Sequence, residues 1–258
     1  AVTYDANTAT GGTVPSAQSK IQGIDLTLAA NTGTLVKTGF TFAGWNTAAN
    51  GSGTDYAVGA TYSVDAALAL FAKWTALPTY AVSYDANTAT GGTVPSAQSK
   101  IQGINLTLQT NTGTLVKTGF TFAGWNTAAN GSGTDYAVGA TYSTDSALAL
   151  FAKWTALPTY AVTYDANTAT GGTVPSAQNK IQGIDLTLQT NSGTLVKTGF
   201  TFAGWNTAAN GSGTDYAVGA TYSTDSALAL FAKWTALPSY AVTYDANTAT
   251  GGTAPSAQ

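Results

Sequence analysis

Apolar and polar residues alternate from the first positions of the chain. Val2 and Tyr4 fall on one face and Thr3 and Asp5 on the other, the period-two signature of a half-buried strand, which predicts an extended element over residues 1–6. Residues 7–12 (NTATGG) carry turn chemistry, with Gly11 and Gly12 free to take positive φ, and Pro15 bars continuation into a central strand. Residues 16–23 read as a loop or one short helical turn. Ile24, Leu26 and Leu28 alternate with Asp25 and Thr27 as a second strand, and a Gly-containing turn follows at 31–34. Residues 35–39 (LVKTG) read either as a helical turn closed by Gly39 or as a bend. FTFAGW at 40–45 is a strand with Phe40 and Phe42 on one face and a bulge or close backbone approach at Gly44. The polar loop 46–53 contains Asn50-Gly51, a hairpin signal. Short extended pieces follow at 55–58 and 60–63, broken by Gly59. LALFAKW at 68–74 then puts Leu68, Leu70, Ala72 and Trp74 on one side and Phe71 and Lys73 on the other. No stretch sustains a 3.6-residue period with caps at both ends, so the predicted fold is mainly β with at most a short helix.

This pattern recurs. The segment AVTYDANTATGGTVPSAQ opens the chain at Ala1 and returns with minor changes at Ala81, Ala161 and Ala241, a period of 80 residues in a chain of 258. The first two repeats differ only at Thr3/Ser83, Asp25/Asn105, Ala29/Gln109, Ala30/Thr110, Val64/Thr144 and Ala66/Ser146. Solenoids and propellers repeat at roughly 20–50 residues because each of their repeats is too small to bury a core alone. A longer repeat can bury a core by itself, which predicts separate small domains arranged as beads in a rod. The boundaries read as repeats at 1–74, 81–154 and 161–234, joined by Pro-bearing connections at 75–80, 155–160 and 235–240. Residues 241–258 read as the first strand and turn of an incomplete fourth repeat.

Composition narrows the chemistry. Cysteine, histidine, methionine, glutamate and arginine are absent, and charged residues make up 8% of the chain, against about 25% in an ordinary globular protein. Without cysteine there are no disulfides or thiolate metal sites, and without histidine the commonest general base and metal ligand is missing. The net charge is −3 and the lysines of each repeat (Lys20, Lys37 and Lys73 in the first) are scattered, so no basic stripe exists for nucleic acid. No apolar run is long enough for a membrane-spanning helix, so membrane insertion of this segment is not expected. The opening AVTYDAN is neither a signal peptide nor an initiator, which suggests a piece of something longer. A 44% hydrophobic content with 11% aromatics is incompatible with a disordered linker.

VTYDAN, GGTVP, the run GFTFAGWNTAANGSGTDY and the closing LALFAKW together resemble the Listeria–Bacteroides repeat, also known as the internalin B-repeat family. The resemblance covers Val2 to Trp74 and recurs over Val82–Trp154 and Val162–Trp234, with Gly39–Asn46 and Phe71–Trp74 its strongest elements. Family members commonly have Tyr where this chain has Phe40, and an apolar-Tyr-Ala-x-Trp ending where it has Phe71. The resemblance implies a small β-grasp-like sheet with a short helical segment, found in tandem in bacterial surface and secreted proteins as stalks and adhesive modules. It implies no catalytic residues and no cofactor.

Candidate chemistry is sparse. Asp5, Asp25, Asp55 and Asp65 are the acids of the first repeat, and Asp25 becomes Asn105 in the second; they read as turn and surface acids. The loop 46–55 offers only Asp55 where calcium needs six to eight oxygens. Gly51 and Gly53 lack the Lys-Ser/Thr and helix of a phosphate loop. No Ser-x-x-Lys spacing occurs, since Ser16 and Lys20 are four apart. A Lys–Asn isopeptide crosslink through Lys73 would need a buried carboxyl beside the pair. Aromatics are more promising. Trp45 and Trp74 sit in the most strand-like segments and read as core, whereas Tyr56 and Tyr62, with Tyr136, Tyr142, Tyr216 and Tyr222, adjoin Gly-rich loops and read as exposed ligand contacts.

The expected function is therefore a non-enzymatic stalk segment of a bacterial cell-surface or secreted protein. One alternative is a multivalent adhesive module that binds a host or neighbouring-cell protein or glycan through the repeated tyrosines. The other is a filament-forming subunit that self-associates through strand addition by residues 241–258.

Overall fold

The computed structural model describes residues 1–257, all in strands, turns and loops. In the first repeat the strands are β1 (Val2–Asp5), β2 (Leu26–Thr27), β3 (Phe40–Asn46), β4 (Asp55–Tyr56), β5 (Thr61–Tyr62) and β6 (Leu68–Ala76). The second repeat has β7 (Thr79–Asp85), β8 (Gln98–Ile101), β9 (Leu106–Thr107), β10 (Phe120–Asn126), β11 (Asp135–Tyr136), β12 (Thr141–Tyr142) and β13 (Leu148–Ala156). The third has β14 (Thr159–Asp165), β15 (Gln178–Ile181), β16 (Leu186–Thr187), β17 (Phe200–Asn206), β18 (Asp215–Tyr216), β19 (Thr221–Tyr222) and β20 (Leu228–Ala236). The chain divides into two compact bodies, one of residues 1–118 with 122–154, the other of 119–121 with the residues from 155 onward.

Each repeat is a mixed sheet with a two-stranded flap. In the first the order is β1-β6-β3-β4, with β2 and β5 paired separately. The opening and closing strands are parallel neighbours, Val2 opposite Leu68 and Asp5 opposite Phe71, while β3 runs antiparallel to β6 from Phe40/Ala76 to Asn46/Phe71. The alternation of the sequence sets the faces. Val2, Tyr4, Leu70 and Ala72 turn inward onto Trp45, Leu28, Leu35 and Tyr62, and Trp45 is fully buried with its indole N–H donating to Ala29 O at 2.9 Å. Burial of a core aromatic of this size contributes several kcal/mol, since its truncation costs about 3–5 kcal/mol in comparable cores. The register slips between Phe42 and Gly44, the bulge anticipated at that glycine.

Several local expectations are corrected. No helix forms among the described residues, so the short helical segment implied by the resemblance is absent. Residues 35–39 are instead a bend, bridged from Val36 to Gly11 and from Lys37 to Phe40. Residues 96–103 and 176–183 hold strands β8 and β15 where a loop or helical turn was expected. Of residues 75–80 and 155–160, read as connections, only 77–78 and 157–158 lie outside strands. Both corrections have one cause: Thr79–Val82 pairs antiparallel with Gln98–Ile101, and Thr159–Val162 with Gln178–Ile181, so the connection becomes part of the following sheet. In the turn at 7–12, Asn7 (φ 45°) and Thr8 (φ 66°) take the left-handed conformation together with Gly12, while Gly11 does not. The strand expected at 241–246 does not form, and those residues are exposed. In the three repeats the corresponding strand pairs with the closing strand of its own repeat.

Candidate functional site

The six tyrosines proposed as ligand contacts pair with one another inside each repeat. Tyr62, Tyr142 and Tyr222 are each only 4% exposed, correcting their expected surface placement. Tyr62 stands opposite Leu26 in the β2–β5 ladder, which lays its ring on the core, and Tyr56 stands opposite Trp45. The Tyr56 and Tyr62 rings meet edge-on at 6.1 Å, and the same holds for Tyr136/Tyr142 and Tyr216/Tyr222. The phenols are also engaged: Tyr142 O–H reaches Ser146 O at 3.1 Å and Tyr222 O–H reaches Ser226 O at 3.1 Å. Tyr56, Tyr136 and Tyr216 remain half-buried. Position beside a glycine-rich loop says nothing about which face of a two-residue strand points inward, so the sequence had no signal for this outcome.

A cleft of about 500 Å³ lies elsewhere, between the Asn7-Thr8 turn and the loop 47–54, and its counterpart in the third repeat measures about 430 Å³. Its residues come from four places: the Asn7-Thr8 turn, the bend at Lys37, the end of β3 with the loop after it, and β6. Asn7, held in the left-handed conformation after Asp5 accepts its N–H at 2.7 Å, sends its amide to Ala49 O and Ala72 O, each at 2.8 Å. Trp74, half-buried at the end of β6, donates its indole N–H to Asn7 O at 2.8 Å. Lys37 donates to Thr8 Oγ1 at 2.8 Å with its ammonium 4.5 Å from the Phe40 ring centroid. Lys73 pairs with Asp55.

The loop above the cleft is organised by Asn46, which is 1% exposed. Its amide N–H groups point to Gly51 O, Gly53 O and Asp55 Oδ1, and its carbonyl accepts from Ala48 N at 2.8 Å and Gly53 N at 3.0 Å. One buried side chain thus satisfies four backbone groups of the turn, which is also closed by Thr47 N–H to Thr54 O and Gly51 N–H to Ala48 O. Asn50-Gly51 does close a hairpin, but at the tip of this longer loop, with positive φ at Gly51 alone of the two. Asn46 was not singled out in the sequence, where it is one more polar residue beside a loop.

The electrostatics favour fixed ion pairs over reactive groups. The Lys73 ammonium, then the Asn46 amide, hold the Asp55 carboxyl below the usual carboxylate range. The Asp65 carboxyl is likewise lowered, first by Lys20 and then by the Gly23 N–H. An isopeptide between Lys73 and Asn46 would need a protonated, buried carboxyl, whereas the Asp55 carboxyl beside Lys73 is more than half exposed and held below the usual range. The arrangement supplies an ammonium rim and an indole edge. Among the described residues no three acids converge on one point.

Comparison with known proteins follows the same repeat. A family profile described as the Listeria-Bacteroides repeat domain matches residues 1–73, 80–153 and 160–233. A protein of Evansella cellulosilytica named "Putative Gly-rich membrane protein" is 32% identical over 177 residues, covering 64% of this chain and 19% of that protein. A second protein of the same organism, named "Putative membrane protein", is 31% identical over 180 residues, covering 67% of this chain and 25% of its own length. The chain therefore spans a quarter or less of the curated relatives it matches. Among solved structures, the Streptococcal High Identity Repeats in Tandem (SHIRT) domains 3-4 from a cell surface protein are aligned over 62% of this chain and 100% of theirs. The identity is 16% and the TM-score 0.27.

Proposed function

Because this chain belongs to the Listeria–Bacteroides repeat family, we propose that it is a non-enzymatic, load-bearing spacer in a bacterial cell-surface or secreted protein. The observation that carries this reading is the parallel pairing of the first and last strands of each repeat: Val2–Asp5 with Leu68–Phe71, Val82–Asp85 with Leu148–Phe151 and Val162–Asp165 with Leu228–Phe231. Tension along the chain pulls the start of the first strand and the end of the last in opposite directions. Every rung between them is then loaded in shear at once, so the rungs must fail together and not one at a time. The knitting of residues 79–82 and 159–162 into the following sheets leaves only two residues of each connection outside strands, and their backbones are hydrogen-bonded, Leu77 N–H to Gly39 O and Pro78 O from Gln102 N–H in the first. The interlocked tyrosines do not support the adhesive alternative.

Single-molecule stretching from the two ends tests this. The expected trace has three force peaks, each releasing about 70–75 residues, or roughly 250 Å of contour at about 3.4 Å per residue. Extension without force peaks would overturn the load-bearing role.

A further inference from the structure

The cleft between the Asn7-Thr8 turn and the loop 47–54 runs against the charge of the chain. The protein carries 9 lysines and 12 aspartates, yet Lys37 and Lys73 both line this cleft and none of the described residues lining it is acidic. The third repeat places Lys197 and Lys233 in the same way. The two ammonium groups differ. Lys73 is neutralised by Asp55, whereas Lys37 is held by neutral groups, the Thr8 hydroxyl at 2.8 Å and the Phe40 ring at 4.5 Å, so its charge stays available to an anion. Lys197 is held likewise by Thr168 and Phe200.

Hydrogen-bonding groups of both kinds flank that charge. Asn7 commits both amide N–H groups to Ala49 O and Ala72 O, which leaves its carbonyl oxygen as an acceptor. Asn50, at the tip of the loop, is the converse: its carbonyl accepts from Ser52 N–H and Ser52 Oγ–H, which leaves its amide as a donor. Trp74 completes the lining, its indole fixed by the bond to Asn7 O and by the Phe42 ring edge-on at 5.7 Å. Asn87, Thr88, Lys117 and Trp154 of the second repeat make the same hydrogen bonds. Each of these side chains is already tied in place, and such preorganisation lowers the entropic cost of binding.

A hollow of about 500 Å³ has the size of a small-ligand site. A purely apolar ligand would leave its polar groups unmatched, and a simple anion would leave the indole unused. We propose that the cleft binds an acidic saccharide of the uronic acid type, one site per repeat. The carboxylate meets the Lys37 ammonium, ring hydroxyls meet Asn7 and Asn50, and the apolar face of the sugar lies on Trp74. Saccharide binding and load bearing are separate properties, and the stretching experiment is blind to this site.

Nuclear magnetic resonance of the indole N–H groups of the full chain tests this, with galacturonate as the probe and galactose and acetate as controls at equal ionic strength. Galacturonate is expected to shift the signals of Trp74, Trp154 and Trp234 and to leave those of the fully buried Trp45, Trp125 and Trp205 in place. Galactose lacks the carboxylate and acetate lacks the ring, and each is expected to bind about fivefold more weakly, the worth of one exposed ion pair or one aromatic contact. The triple variant Lys37→Gln/Lys117→Gln/Lys197→Gln brings galacturonate down to the level of galactose. Asn50→Asp/Asn130→Asp/Asn210→Asp, at exposed loop positions, sets a carboxylate at the rim and weakens galacturonate more than galactose. Unshifted Trp45, Trp125 and Trp205 signals report that each variant keeps its fold. Unmoved Trp74, Trp154 and Trp234 signals, equal affinity for galacturonate and either control, or galacturonate binding unchanged in either variant each overturns the assignment.

Discussion

Lys20, Lys100 and Lys180 reach Asp65, Asp145 and Asp225 at 2.6 Å, with lysine side chains only 3%, 0% and 0% exposed. Each pair latches the loop after the lysine to the turn before the closing strand, and Gly23, Gly103 and Gly183 donate their N–H groups to the same carboxyls. The lysine, and secondarily the glycine amide, holds each of these carboxyls below its usual range. A depressed folded-state value means that the stabilisation is fully present above the unfolded value, about 3.9 for Asp. It is lost as pH falls through the folded value. The melting temperature is therefore expected to stay level from neutral pH to about pH 5 and to fall below about pH 4. The triple variant D65N/D145N/D225N should melt lower at neutral pH, because each buried ammonium loses its carboxylate, and its acid limb should be shallower. A wild-type melting temperature that stays level through the acid range would remove the latch. In the sequence these aspartates read as surface turn residues, and nothing in a 45-residue separation marks Lys20 and Asp65 as partners.

At the scale of the element, Gly44 shows a local signal read correctly and Tyr62 one read wrongly. A glycine inside an aromatic strand points to a bulge wherever the backbone comes close. Gly44 has φ 118°, and an added Cβ would lie 2.6 Å from Tyr56 O. Replacing the three equivalent glycines (G44A/G124A/G204A) is expected to cost about 1–3 kcal/mol per repeat, read as a lower denaturation midpoint with an unchanged slope. A midpoint equal to wild type would show that the bulge relaxes freely. Strand β8 was invisible because QSKI has no alternation to advertise it. It exists by virtue of the strand laid against it, and the first repeat, with the same four residues, forms only a bridge there.

For the whole molecule, near-identical repeats provide an internal control. The backbone N–H groups of Gln102 and Gln182 donate to Pro78 O and Pro158 O, at 3.0 Å and 2.9 Å, across the incoming connection. Residue 22 occupies the same place in the first repeat, whose edge is bridged from Gln18 to Val2. Hydrogen exchange of segments 98–102 and 178–182 is expected to be slower than that of 18–22, because local opening there must first break the junction ladder. Equal rates in the three segments would mean that the connection adds no protection. Such coupling makes neighbouring repeats more than beads on a string: part of each following sheet is donated by the chain ahead of it.

Features that depend on neighbours a few residues away are legible in the chain alone. The period of 80, the alternating strands and the mainly β character belong here, and so does the Asp-x-Asn-Thr turn. That turn recurs with positive φ at Asn247 and Thr248 in a segment with no sheet around it, held by Asp245 accepting Asn247 N–H at 2.7 Å. Whatever depends on the partner a strand finds is fixed by long-range packing. The parallel union of first and last strands, the inward turn of Tyr62, the Lys–Asp latch and the capture of Thr79–Tyr80 by Gln98–Ile101 all join residues far apart in the chain. Two-residue strands and polar edges carry too little periodicity to name such partners, and their pairing follows from the burial gained when the whole sheet closes.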